Sequence, residues 1–94
     1  MDLIIGSCQI VLYLPNAVSL KEKRQILKSL KDRLRNRFNI AVAETKDNDL
    51  WQRATLGIAY VSNDRKTAVR LLDQVIDFLQ QEREIKIIDY EIEV

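Results

Sequence analysis

The sequence predicts an α+β domain with the element order β-α-β-β-α-β, and three observations carry that expectation. Two segments, after Pro15-Asn16 and after Ser62-Asn63-Asp64, repeat apolar residues at helical three-to-four-residue spacing. Stretches rich in aliphatic and β-branched residues stand before, between and after them. Between the two helices there are two such stretches, parted by a turn-rich loop, which makes a hairpin.

Asp2 to Leu14 is rich in Ile, Leu and Val, alternates Ile10, Leu12 and Leu14 with Gln9, Val11 and Tyr13, and is closed by Pro15-Asn16, so it reads as a long strand. Ser19 and Glu22 form a capping box: the serine hydroxyl caps the Glu22 amide while the glutamate reaches back, which starts a helix running to about Arg37. Asn36 to Asn39 end it. Ile40 to Glu44 is a short strand, Thr45 to Asp49 a loop without glycine, and Gln52 to Val61 a third strand. Ser62-Asn63-Asp64 offers caps for a second helix whose core face is Ala68, Val69, Leu72, Val75, Ile76 and Leu79. Ile85 to Glu93 is the last strand, alternating Ile88, Tyr90 and Ile92 with Asp89, Glu91 and Glu93. Residues 1–94 contain no repeat, low-complexity tract or linker and suit one domain.

Right-handed crossovers would place both helices on one face of a four-stranded antiparallel sheet, the ferredoxin-like arrangement. Strand alternation then sets Ile88, Tyr90 and Ile92 under the helices and the three acids on the open face. The first strand is apolar on both sides. Either Leu3, Ile5 and Val11 or Ile4, Ile10 and Leu12 must lie on the open face, more apolar surface than a monomer usually exposes, so a homodimer is expected, with the sheet face its favoured contact and edge-to-edge pairing the alternative.

Composition narrows the chemistry. At 47% apolar and 31% charged the chain is ordinary globular material. No apolar run reaches the roughly 18 residues of a membrane span, and the amino terminus lacks a signal-peptide pattern, which leads to the expectation of a cytoplasmic protein without membrane partners. Histidine is absent and Cys8 is the one cysteine, which removes the commonest acid-base catalyst and metal ligand and any internal disulfide. Cys8 reads as a small core residue. No nucleophile, base and orienting group stand together, so the expectation is a protein that is not an enzyme, with no cofactor and no metal.

Charge is unevenly laid out although the net value is only +1. Residues 19–37 carry eight bases against Glu22 and Asp32, while the rest of the chain is acidic. On a helical wheel Lys21, Arg24, Lys28, Lys31 and Arg35 fall in a stripe about 80 degrees wide, beside a roughly 120-degree apolar arc of Leu20, Ile26, Leu27, Leu30, Leu34 and Phe38. Such a solvated ridge suits a phosphate backbone, although basic helix faces also serve solubility alone. Lys23 sits inside the apolar arc, where it must snorkel past the sheet edge or meet a carboxylate; snorkelling is the commoner solution.

Leu50-Trp51-Gln52-Arg53 joins the hairpin loop to the third strand. Trp51 and Arg53 point to one side of an extended chain and could present an indole and a guanidinium together to a base or a peptide. The ordinary place for a lone tryptophan is the core, which Trp51 would close at one end. Antiparallel pairing brings the start of the third strand beside the end of the first, so Lys23, Arg24 and Trp51-Gln52-Arg53 should meet, with Glu44 a neutralising partner. Such a patch could anchor a phosphate or a carboxylate, or simply be an ion pair that fixes the hairpin. Three chemistries known on this topology find no support. The central strands lack the aromatic cluster of an RNA recognition motif, having Leu56-Gly57-Ile58-Ala59 there. Leu14 to Val18 has neither the glycine nor the arginine of an anion-cradling catalytic loop, and metal carriage would want paired cysteines.

Ser19-Leu20-Lys21-Glu22-Lys23-Arg24, Leu27 to Leu34, Arg37-Phe38-Asn39, Val42-Ala43-Glu44 and Asp49-Leu50-Trp51-Gln52-Arg53-Ala54 with Leu56-Gly57 together resemble the YlxP-like family, domain of unknown function 503. The likeness spans nearly the whole chain. It implies a ferredoxin-like fold and signature positions at Ser19, Leu20, Lys21, Lys23, Arg24, Trp51, Gln52 and Arg53. The encoding of such proteins among transcription, translation-initiation and ribosome-maturation factors implies a role near RNA or the ribosome. The sequence therefore leads to the expectation of a non-catalytic RNA- or ribosome-associated module using the ridge Lys21, Arg24, Lys28, Lys31 and Arg35. The alternative is a regulatory or protein-interaction domain that holds a peptide or small acidic ligand near Trp51 and Arg53.

Overall fold

A computed structural model describes residues 2–94. Strand β1 (Ile4–Tyr13) turns Cys8, Ile10 and Leu12 inward, all nearly inaccessible, and leaves Ile5, Ser7, Gln9 and Tyr13 outward, as a period of two requires. Helix α1 (Leu20–Arg37) starts at Ser19, whose hydroxyl accepts from the Glu22 amide at 3.1 Å; the Glu22 carboxylate accepts from the Val18 amide instead of the Ser19 amide. It stops where Phe38 turns extended while its N–H still reaches the Leu34 carbonyl. Strands β2 (Ala41–Lys46) and β3 (Arg53–Ser62) form the hairpin. Helix α2 (Arg65–Gln80) is capped by the Asp64 carboxylate, which accepts from the amide and hydroxyl of Thr67, and strand β4 (Lys86–Glu93) follows.

The sheet order is β2-β3-β1-β4 with every neighbouring pair antiparallel. Inward strand residues and the apolar stripes of both helices make one core: Leu27, Leu30 and Leu34 from α1 and Leu72, Val75, Ile76 and Leu79 from α2 lie on Ile10, Leu12, Leu56 and Ile58. This is the ferredoxin-like fold that the element order predicts. Arg33 reaches Glu82 just past α2, whereas Arg35 reaches the Val42 carbonyl of β2 at 3.0 Å, so α1 lies over the β2 side of the sheet with its two flanks facing different neighbours.

Three local expectations change. In β4 the pairing shifts by one residue between Val11 and Leu12, which oppose Asp89 and Ile87. This bulge places Ile87 against the core and leaves Ile88, expected beneath the helices, 54% exposed. Tyr90 keeps its inward position opposite Ile10, but at the outer edge of the sheet its ring is only half covered. A second bulge between Glu44 and Lys46 carries β2 on through residues expected to be loop, and Val69 lies on the exposed rim of α2. Of the two parities considered for β1, that of Leu3, Ile5 and Val11 faces away from the helices, with Leu3 and Ile5 well exposed. Among the described residues, no helix is long and apolar enough to cross a membrane.

Candidate functional site

Lys23, Glu44 and Arg53 are linked at the end of the sheet through Asp47, a residue the sequence reading passed over, whereas among the described residues no hydrogen bond or ion pair brings Arg24 or Trp51 to them. Lys23 is 1% exposed. It does not snorkel: from the first turns of α1 its ammonium descends to the β2-β3 hairpin, 2.7 Å from Glu44 Oε2, and donates to the Asp47 carbonyl at 2.6 Å. The Glu44 oxygen has no hydrogen bond of its own, so Coulomb attraction to the ammonium is what offsets its burial. Asp47 stands in left-handed backbone (φ 64°), which aims its carbonyl at Lys23 and its carboxylate toward β3. There Asp47 Oδ2 accepts from the Thr55 hydroxyl at 2.7 Å and from Arg53 Nε at 3.2 Å, and these bonds, led by that of Thr55, hold the carboxyl below its ordinary range.

Gln52 closes the other side. Its side-chain amide donates to the carbonyls of Pro15 and Ala17, each at 3.2 Å, and its backbone carbonyl accepts from the Leu14 amide. The β1-α1 loop and the β2-β3 loop are thereby sewn together. Lys23, Gln52 and Arg53 each donate within the chain, and Glu44 pairs with Lys23.

Trp51 departs from expectation. It is 55% exposed, not a lid on the core. It borders a shallow surface pocket with Tyr13, Leu50, Gln52, Arg53 and Ile88. Next to it, Gln52 binds the β1-α1 loop and Arg53 binds Asp47, so the two residues that follow Trp51 are anchored while the indole is carried on the outer surface.

The basic ridge stands apart from this cluster, on the flank of α1 turned away from α2. Lys21, Arg24, Lys28 and Arg35 are exposed and Lys31 is half-buried. Lys28 and Arg35 each stand 3.7 Å from Asp32, and Arg35 also donates to the Val42 carbonyl. Among the described residues, Lys21, Arg24 and Lys31 have no ion-pair partner.

Sequence reasoning missed Asp47 and Thr55. The signal for Asp47 was present: a hairpin loop with no glycine has to find its left-handed residue among Asp and Asn, the side chains that tolerate that region best. Cys8 lies 3% exposed in β1. Burial, and after it the negative charge of Asp73, pushes its thiol up to about 11 against a weaker opposing hydrogen bond from the Glu91 backbone, so at neutral pH it is a protonated core side chain.

Fold and site together define a ferredoxin-like domain with a polar clasp of internal contacts at one end of its sheet and a basic ridge on its first helix. The family model described as "Protein of unknown function (DUF503)" matches residues 5–92, and the chain belongs to that family. It is 39% identical over 81 residues to the "Uncharacterized protein YlxP" of Bacillus subtilis (strain 168), an alignment covering 86% of each chain.

Proposed function

We propose that this protein is a non-catalytic cytoplasmic module that binds RNA, free or on the ribosome, through the ridge of α1. The observation that carries this reading is the run of Lys21, Arg24 and Lys31 along one helix flank without ion-pair partners among the described residues, flanked by Lys28 and Arg35. Cations at one-turn spacing match a phosphate backbone better than they match one another, because like charges left unpaired on a helix repel. The acids Asp89, Glu91 and Glu93 lie at the far edge of the sheet, on β4, so a polyanion approaching the ridge does not meet them.

The alternative, an acidic ligand held at Trp51 and Arg53, has weaker support because Arg53 already binds Asp47. The test is filter binding to a structured RNA and to ribosomal subunits across a salt series. The triple variant Lys21→Glu, Arg24→Glu, Lys31→Glu should bind at least tenfold more weakly at low salt, with a slope in log salt shallower by about 2 to 3 units, close to one per lost phosphate contact. Wild-type protein that binds neither RNA nor subunits in a salt-sensitive way would overturn the reading.

A further inference from the structure

The geometry points to the open sheet face as the contact between two copies of this chain, related by a two-fold axis that runs along the strands between β1 and β3. The inference is independent of the RNA reading, since the ridge lies on the helix layer.

The face is built in three zones. At one end Leu3, Ile5 and Val61 are each at least 60% exposed, and at the other Tyr13, Trp51 and Ile88 are exposed. Between them runs a shallow trough with Ser7, Ala41, Ala43 and Ala59 along it and Gln9, Lys46, Glu91 and Glu93 also lining it. Two apolar ends on one face are more than a scatter of surface hydrophobes, and a second sheet is a shape that covers both at once.

The pairing register shows why a copy of this chain fits. On β1 and β3, Ile5 stands level with Val61, Ser7 with Ala59, Gln9 with Gly57 and Tyr13 with Arg53. A two-fold axis along the strands sets β1 of one copy over β3 of the other at the same level. Ile5 then meets Val61, and the Tyr13 ring meets the Arg53 guanidinium.

Charge selects this axis over the one that crosses the strands. Asp89, Glu91 and Glu93 line the open face along β4, and Lys46 lies on it in β2, at the level of Thr55, Val11 and Asp89. Turning about the strand axis puts β4 over β2 and Asp89 over Lys46. Turning about the perpendicular axis would put the acid row on itself, which like-charge repulsion disfavours.

Area agrees. Strands of ten, six, ten and eight residues, at about 3.3 Å per residue and about 4.8 Å apart, give about 540 Å² of flat face, which side-chain relief raises toward the roughly 800 Å² per partner of a standard interface.

Sedimentation equilibrium of the full chain at 10 to 100 µM tests the inference. The expected species has twice the 11.0 kDa chain mass, and Trp51 fluorescence should shift to the blue as the dimer forms. Ala59→Arg, at the centre of the face, should give a monomer with an unchanged far-ultraviolet circular dichroism spectrum. Lys46→Glu and Asp89→Lys alone should each weaken the dimer about tenfold, and the double variant should restore it. A wild-type monomer at 100 µM, or a dimer indifferent to Ala59→Arg, overturns the interface. Failure of the double variant to restore association overturns the axis.

Discussion

Lys23 shows how one charge inside an apolar stripe organises its surroundings. A buried ammonium with a single carboxylate is costly unless its remaining donors are used, and here the Asp47 carbonyl takes one of them. Removing the cation alone strands Glu44, so Lys23→Met should destabilise the fold by about 3 kcal/mol in urea unfolding. Lys23→Met with Glu44→Leu should recover most of that loss, because a buried pair replaced by apolar groups of similar size is often neutral. A double variant no more stable than the single would show that the packing of Lys23, not its charge, is what matters. Position 23 was legible as an anomaly from spacing alone. Its partner was legible only in part: Glu44 followed from strand direction, whereas the carbonyl of Asp47 is an acceptor that no side-chain pattern announces, since a backbone dihedral aims it.

Among the elements, the helices and β3 were the most legible. Ser19 and Asp64 cap where capping chemistry says, and the apolar residues of α1 and α2 recur at the helical period over many residues. The edge strands were the least legible. A bulge adds one residue to a ladder without altering composition, so the frame of β4 slipped from Ile88 to Ile87 unseen. Two element junctions also set the response to acid. Asp47 in the hairpin and Asp64 at the start of α2 are both held below the ordinary carboxyl value of 3.8, by hydrogen bonds led by the hydroxyls of Thr55 and Thr67 respectively. The unfolded chain therefore binds more protons than the folded one in that range. Their contribution is complete above 3.8 and fades as the pH falls through the lowered values. The urea midpoint should drop between pH 5 and pH 2.5, and Asp47→Asn with Asp64→Asn should make that drop smaller. An equal drop in the double variant would assign the acid response to other carboxylates.

At the scale of the whole molecule, the chain is electrically lopsided: bases follow α1 above β2 while acids border β4, a separation invisible in a net charge of +1. That layout was readable by counting charges in blocks, and the open apolar face by noting that β1 has no polar side. The strand order has a consequence in time. The first strand made is the centre of the sheet, whereas the strand on its far side is the last of the six elements to emerge from the ribosome. Until then the nascent chain has one complete pairing edge on β1 and one bare edge beside Ile10 and Leu12, a template open to any passing strand. A chain cut after Arg83 should accordingly aggregate at concentrations at which the intact chain stays in solution, and adding residues 84–94 as a separate peptide should rescue it by filling the vacant seat. Completion of the sheet thus waits for β4, and a ribosome stalled before it carries a protein that is adhesive before it is native.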